Sequence, residues 1–349
     1  MQITPGKQLT TKKIMQYVVV LLVAIVLLYF CFRGIKWSDF TEGLRHCNYW
    51  WIGVSMIFGI SGFILRAWRW KLLVNQLNPK VTLKETYDGV TIGNLTNFAL
   101  PRVGEIVRCG VVARKKKVTF EEAIGTVILE RSWDLICLFL LVILLVVFTW
   151  EKFGSFIQTK MINPAEGRVT GVIIFSLAAF IILLAIAAVL IYIYRDRLRK
   201  HKFHNKFMGF LKGLWQGMLA AFKMKKKWLF FTLTVMLWAS FWLTSMTSIL
   251  AFPDMSNFTL MDALFLMIVG SLGWAVPVQG GIGAYHFMVS LALAQIYGIA
   301  HAEGMVFATI SHESQALIMI LCGVISLINI AIEKRRAKSP DNYDNKIQN

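Results

Sequence analysis

Three stretches of the chain, residues 14–32, 169–194 and 228–252, are almost unbroken apolar runs. A helix crossing a bilayer core of roughly 30 Å needs about 20 apolar residues, and each run is long enough. Amphipathic helices of a soluble fold would show a polar face at a 3.6-residue period; these runs show none. Charged residues make up only 16% of the chain and apolar ones 57%, where soluble domains hold about 25% charged residues. The fold class expected is an all-α polytopic membrane protein.

The net charge is +18. In a soluble chain that would point to nucleic acid, but the position of the charge argues otherwise. Residues 195–227, "RDRLRKHKFHNKFMGFLKGLWQGMLAAFKMKKK", hold eleven Lys/Arg against one Asp between two apolar runs. Lys and Arg are retained on the cytoplasmic side and are attracted to the anionic inner leaflet. Phe207, Phe210, Leu211, Leu214 and Trp215 among the lysines suit an amphipathic helix on that surface. Nucleic acid is excluded as the partner. The five cysteines, Cys31, Cys47, Cys109, Cys137 and Cys322, form no C-x-x-C pair, and no His/Cys cluster has zinc spacing. Neither a disulfide framework, a metal site nor another cofactor is indicated. Lys7, Lys12 and Lys13 before the first run resemble a signal peptide, but the run lacks a small-residue cleavage site, so it is read as a retained first helix.

Six spans are expected, over residues 14–32, 48–66, 123–149, 169–194, 228–252 and 305–332. Two further apolar segments are interrupted. Residues 86–113 break at Pro101 and Gly104, and residues 262–297 break at Pro277, Gly280, Gly281 and Gly283. Proline in a helix interior loses a hydrogen bond and clashes with the preceding turn. Both "RAWRWKLL" (66–73) and "RKKK" (114–117) belong on the cytoplasmic side by charge. The segment between them must therefore enter and leave on that side, as a re-entrant hairpin. Continuing the alternation, the second broken segment starts and ends outside, and "EKRRAKS" returns inside. Both termini are thus expected to be cytoplasmic.

The domain so described covers residues 1–335, followed by a polar tail, 336–349. It contains two repeats of opposite orientation, 48–149 and 228–332, each a span, a broken hairpin and a span. Gly93-Asn94-Leu95 leads to Pro101 as Gly270-Ser271-Leu272 leads to Pro277, and "PRVGEI" parallels "PVQGGI". Inverted repeats with broken helices meeting near the midplane are a transporter signature. Non-helical backbone at that depth must be buried in protein or line a wet cavity.

Candidate site residues fall on these breaks. Arg102, Glu105 and Arg108 are spaced i, i+3, i+6, which on one helix gives a stripe with each pair at ion-pair spacing. "ILERSWDL" adds Glu130, Arg131 and Asp134 early in the next span. A charge near the centre of a span costs about 2.5–3.5 kcal/mol, so these groups must be paired, snorkelling or facing water. A structural reading has them locking helices together or reaching lipid head groups. A functional one makes them a site for an anionic head group, because the guanidinium fork matches phosphate oxygens and stays charged. A helix restarting after Pro101 would also aim free N–H groups at the anion. Asn94 and Asn97, and in the second half Tyr285, His286, His312 and Glu313, are candidates for a polar pathway; each histidine could equally be a packing residue. "RAWRW" reads as an interfacial Trp/Arg anchor. "GGIG" matches neither a dinucleotide fingerprint nor a Walker loop.

"NFALPRVGEIVR", "VILERSWDL", "PVQGGIGAYH" and "RAWRWKLL", in this chain's arrangement, resemble the lysylphosphatidylglycerol synthase transmembrane-region family, whose members are also described as flippase-like. The resemblance runs from about residue 10 to residue 335 and includes an Arg-x-x-Arg-Trp motif at Arg66, Arg69 and Trp70. It implies a bacterial or archaeal cytoplasmic-membrane protein that moves or binds an anionic phospholipid or a polyprenyl-phosphate-linked lipid. Pro101, Arg102, Gly104, Glu105, Arg108, Glu130, Arg131 and Asp134 match the family's first motifs; Pro277, Gly280, Gly281 and Gly283 match its second. That second motif usually continues to a glutamate, where this chain has Tyr285-His286. Full synthases also carry a soluble aminoacyltransferase domain. The tail "EKRRAKSPDNYDNKIQN" is too short for one, so no lysyltransferase activity is expected of this chain alone. The function expected is lipid translocation. The alternatives are an integral-membrane transferase on a lipid-linked substrate, which would want a carboxylate cluster among only 19 acids, or a scaffold for a partner enzyme. A homodimer is compatible with each.

Overall fold

The computed structural model of the chain describes residues 32–149 and 224–336, with residues 22, 26, 28, 29, 221 and 222. Most of the expected first span, the whole of the expected span 169–194, and nearly all of the basic segment 195–227 lie outside the described residues. Among the described residues the fold is all-helical. The helices are α1 (Trp37–His46), α2 (Tyr49–Val74), α3 (Leu83–Ala99), α4 (Gly104–Ala113), α5 (Phe120–Phe148), α6 (Lys227–Leu250), α7 (Leu260–Ala275), α8 (Ala284–Tyr297) and α9 (His301–Arg336). Short 3-10 turns occupy Pro253–Met255 and Gln279–Gly281. Of these helices α2, α5, α6 and α9 are long and apolar enough to cross a membrane. The chain divides into two compact units, residues 1–127 with 228–349, and residues 128–227. Helix α5 begins in the first unit and continues in the second.

In the first unit both broken segments fold as antiparallel helix pairs. Along α3 and α4 the closest approaches pair Gly93 with Gly104 and Gly89 with Arg108, a register in which one number rises as the other falls. The ends of the pair therefore return to one place: Lys117 Nζ lies 2.9 Å from Glu85 Oε1 and donates to the carbonyl of Lys80 at 2.8 Å. In the second pair Gly273 packs on Tyr285, and at the mouth the Tyr297 hydroxyl donates to Asp262 Oδ1 at 2.8 Å. Each hairpin opens with the same device, a threonine capping box. Thr82 pairs reciprocally with Glu85 (2.8 and 3.3 Å), and Thr259 with Asp262 (2.8 and 3.3 Å).

The two mouths lie at opposite ends of α2. Asn48, before α2, donates its N–H to the Ala251 carbonyl at 2.8 Å, in the loop that leads to the second hairpin. The far end of α2 leads to Lys80 at the mouth of the first hairpin. Between them α2 has 26 residues, about 39 Å at 1.5 Å per residue. Helix α9 runs the same way. It starts just after α8 and ends with Glu333 bonded to Lys84 and, at 3.1 Å, to Arg114. Small polar side chains join the long helices: Ser55 Oγ meets Ser248 Oγ at 2.9 Å and accepts from Gln315 Nε2 at 3.2 Å. Helices in lipid associate through such small residues and cross-helix hydrogen bonds, since lipid tails offer no hydrophobic contrast.

The sequence reading needs correction at "RAWRW". Helix α2 continues past residue 66 to Val74, because no breaker intervenes before Asn75. Arg69 and Trp70 have no exposed surface, and only Trp68, 41% exposed, faces outward as an anchor would.

Glu85 gives a pH-dependent test of the first mouth. Burial pushes its carboxyl up, but the Thr82 N–H and the Lys117 and Lys115 ammonium groups outweigh burial and hold it below the usual range. A depressed carboxyl adds stability at neutral pH and loses it as pH falls through the folded-state value. Glu85→Gln, which keeps the capping geometry, should melt earlier than the parent at pH 7. The gap should close below about pH 4.3, the ordinary Glu value; thermal unfolding of the purified protein across pH measures it.

Candidate functional site

The first break spans Leu100–Val103, with Pro101 inside it. Arg102 adopts φ 66, the left-handed region that a residue with a side chain uses sparingly. The turn takes Arg102 out of helix α4, so the expected stripe of Arg102, Glu105 and Arg108 is not continuous; only Glu105 and Arg108 share the helix. Arg102 instead reaches the other hairpin, donating from Nη2 to the carbonyl of Ala275, the last residue of α7.

Gly104 opens α4 rather than breaking a helix. Its N–H donates to Asn97 Oδ1 at 2.7 Å, and Asn97 Nδ2 donates to Glu105 Oε2 at 3.2 Å. Asn97, placed on the expected polar pathway, thus caps the second half-helix from the first. Of the N–H groups that the restarting helix is expected to aim at an anion, that of Gly104 is already satisfied, and Glu105 sits at the positive end of α4, where an acid is favoured. Asn94 is half-buried on α3.

Arg108 is 3% exposed. Its guanidinium carbon lies 3.9 Å from the centre of the Trp70 ring, and Trp70 Nε1 donates to Thr126 Oγ1 at 2.9 Å. A desolvated cation over an indole gains about 2 kcal/mol. The hydrogen bond fixes the indole, and the indole fixes one face of the guanidinium.

The second break holds Pro277 and three glycines in the left-handed region, Gly280 (φ 57), Gly281 (φ 74) and Gly283 (φ 81). Here the tips of the two hairpins touch: a Cβ added at Gly280 would sit 2.6 Å from Phe98 Cδ2 near the end of α3. Around the Gly280 carbonyl the structure gathers Tyr285, His286, His312 and Glu313. His312 has no exposed surface. Its Nε2 lies 2.8 Å from the Gly280 carbonyl and its Nδ1 3.0 Å from Glu313 Oε1. Trp274 stacks on its ring at 4.5 Å between centroids. The Tyr285 hydroxyl meets Ser311 Oγ at 3.1 Å.

In the second unit, helix α5 carries Glu130, Arg131 and Asp134. Glu130 has no exposed surface, and Arg131 Nη1 lies 3.5 Å from Asp134 Oδ2, one turn along the helix.

Sequence reasoning missed Trp70 and Trp274 as the aromatic floors under Arg108 and His312, and it missed the two threonine caps. The caps were readable: Thr82-Leu83-Lys84-Glu85 is a capping-box signature, and Thr259-Leu260-Met261-Asp262 is its aspartate counterpart. The tryptophans carried no such signal, because an interfacial and a buried Trp look alike in sequence.

Residues 17–323 match the family described as lysylphosphatidylglycerol synthase TM region. No curated protein and no solved structure matches the chain.

Proposed function

The chain belongs to the lysylphosphatidylglycerol synthase TM-region family, and from that premise we propose that it is a lipid translocator for an anionic phospholipid or a polyprenyl-phosphate-linked lipid. The family points to lipid handling in a membrane. The observation that carries the finer reading is the meeting of two broken hairpins that open to opposite ends. Arg102 at the tip of the first bonds the end of α7, and Phe98 lies against Gly280 of the second. Broken helices converging in this way supply non-helical backbone and charge at depth, which a head group needs and lipid tails do not tolerate. In this reading 48–149 and 228–332 are inverted repeats of one transmembrane domain. Arg102 and Arg108 hold the lipid phosphate and Glu105 tunes them. The acyl tails stay in the bilayer while the head group crosses.

Charge supports a cytoplasmic placement of the first mouth. Lys84, Arg114, Lys115 and Lys117 gather there beside Glu85 and Glu333, and basic residues mark the inner face. In this reading the C-terminal end of α9 lies inside, in a bacterial or archaeal cytoplasmic membrane.

The test is leaflet exchange of a head-group-labelled anionic phospholipid in proteoliposomes. The wild type should accelerate exchange. Arg102→Ala and Arg108→Ala should each slow it about tenfold or more, the loss of one charge-assisted contact of about 1.5–3 kcal/mol. Unchanged rates in both variants would remove those residues from the pathway; no exchange by the wild type would remove the transport reading. Mass spectrometry of lipid retained through purification names the lipid class.

A further inference from the structure

The cluster under the second break has a feature that packing does not explain. A carbonyl oxygen only accepts, so the contact from His312 Nε2 to the Gly280 carbonyl at 2.8 Å puts the ring hydrogen on Nε2. The Nδ1 lone pair of the neutral ring then faces Glu313 Oε1 at 3.0 Å. Two acceptors at that distance need a positive species between them, either a proton or a metal ion.

His286 decides between these. It is 3% exposed, and its Nε2 lies 3.9 Å from the same Oε1 of Glu313, beyond hydrogen-bond reach. Its Nδ1 has no hydrogen-bond partner. A shared proton between His312 and Glu313 has no use for this second imidazole. A metal does. With metal–nitrogen and metal–oxygen distances of about 2.0–2.2 Å, ligands at the corners of a tetrahedron stand roughly 3.4 Å apart. The separations of 3.0 Å and 3.9 Å bracket that value. One ligand atom from each of His286, His312 and Glu313 lies within 4.8 Å of the others, so a small inward turn of His286 closes the set. The Gly280 carbonyl does for His312 what outer partners do for metal-bound histidines: it takes the far ring hydrogen and fixes tautomer and orientation. The stacked Trp274 ring, 4.5 Å away, holds the plane.

The geometry points to a divalent transition-metal site of the Zn²⁺ class, held by His286, His312 and Glu313. Two imidazoles and one carboxylate suit such ions and not Mg²⁺ or Ca²⁺. Glu313 is half-exposed, which leaves a fourth position open to water or another oxygen ligand. The ion would tie α8 to α9 directly beneath the Gly280 tip. This assignment stands apart from whatever lipid is carried.

The full chain, prepared in detergent without a polyhistidine tag and stripped with chelator, is titrated with Zn²⁺ and separately with Co²⁺. The wild type should take up one tight equivalent of Zn²⁺ per chain and give the visible spectrum of a low-symmetry Co²⁺ site. His286→Asn should lose the tight equivalent. Glu313→Gln should weaken it by at least about tenfold and shift the Co²⁺ spectrum. His312→Ala risks misfolding because the ring is fully buried, which is why the other two variants carry the test. Absence of a tight equivalent in the wild type, or uptake unchanged in both His286→Asn and Glu313→Gln, overturns the site and leaves a proton shared by His312 and Glu313.

Discussion

Gly104→Ala should prevent the first hairpin from closing, whereas Gly110→Ala on the same helix should leave the protein intact. A Cβ at Gly104 would lie 2.0 Å from the Gly93 carbonyl oxygen and 2.6 Å from Asn97 Cγ, while one at Gly110 meets nothing within 4 Å. The obstacle at Gly104 is backbone, so no rotamer change relieves it; helices α3 and α4 must part. Parting them also pulls Asn97 from the Gly104 N–H and moves Arg108 off Trp70. Overpacking of a closed interface costs about 1–3 kcal/mol, and the severed cap adds about 1 kcal/mol. Gly110→Ala should gain up to about 1 kcal/mol from helix propensity. Thermal unfolding and gel-filtration profiles of the two purified variants, side by side, give the comparison. Equal melting temperatures would mean that the hairpin arms do not touch at Gly93 and Gly104.

Gly280→Ala should be the second severe change, for two separable reasons. The residue holds φ 57, which costs a side chain about 1–2 kcal/mol. The new Cβ would also meet the Phe98 ring at 2.6 Å, and a flat ring wedged at a hairpin tip has little room to turn. Removing the ring separates the two terms. The double variant Phe98→Ala/Gly280→Ala should recover the steric part of the loss and keep the backbone part, so the single effects should not add. Strict additivity would show that the tips do not touch. Because the Gly280 carbonyl orients His312, the single variant should also loosen Zn²⁺ uptake.

Much of the fold was legible because lipid is an uncompromising solvent. Apolar length alone placed α2, α5, α6 and α9, and Pro101 and Pro277 marked the breaks on either side of which α3, α4, α7 and α8 form. The limits of reading by pattern show at Arg102. Regular spacing put Arg102 and Arg108 on one face, but spacing counts only within a helix, and α4 starts at Gly104, after the left-handed turn at Arg102. The same limit hid the histidine cluster. His286 and His312 lie far apart in the chain and on different helices, so no local ligand spacing announced them. Arg69 and Trp70 were misplaced at the surface because burial of an arginine depends on partners that sequence order does not reveal.

What the sequence by itself determined is the class: hydrophobic length forces helices, and proline fixes where two of them break. Its motifs also carried the family. Only the tertiary structure decided which groups meet. It bound Arg102 to the end of α7, set Arg108 on Trp70, turned Asn97 from a pathway residue into a cap, and put two imidazoles and a carboxylate under the Gly280 carbonyl. The physical reason is that local backbone preference and solvent matching act over a few residues, whereas these contacts depend on how closely glycines let distant helices approach.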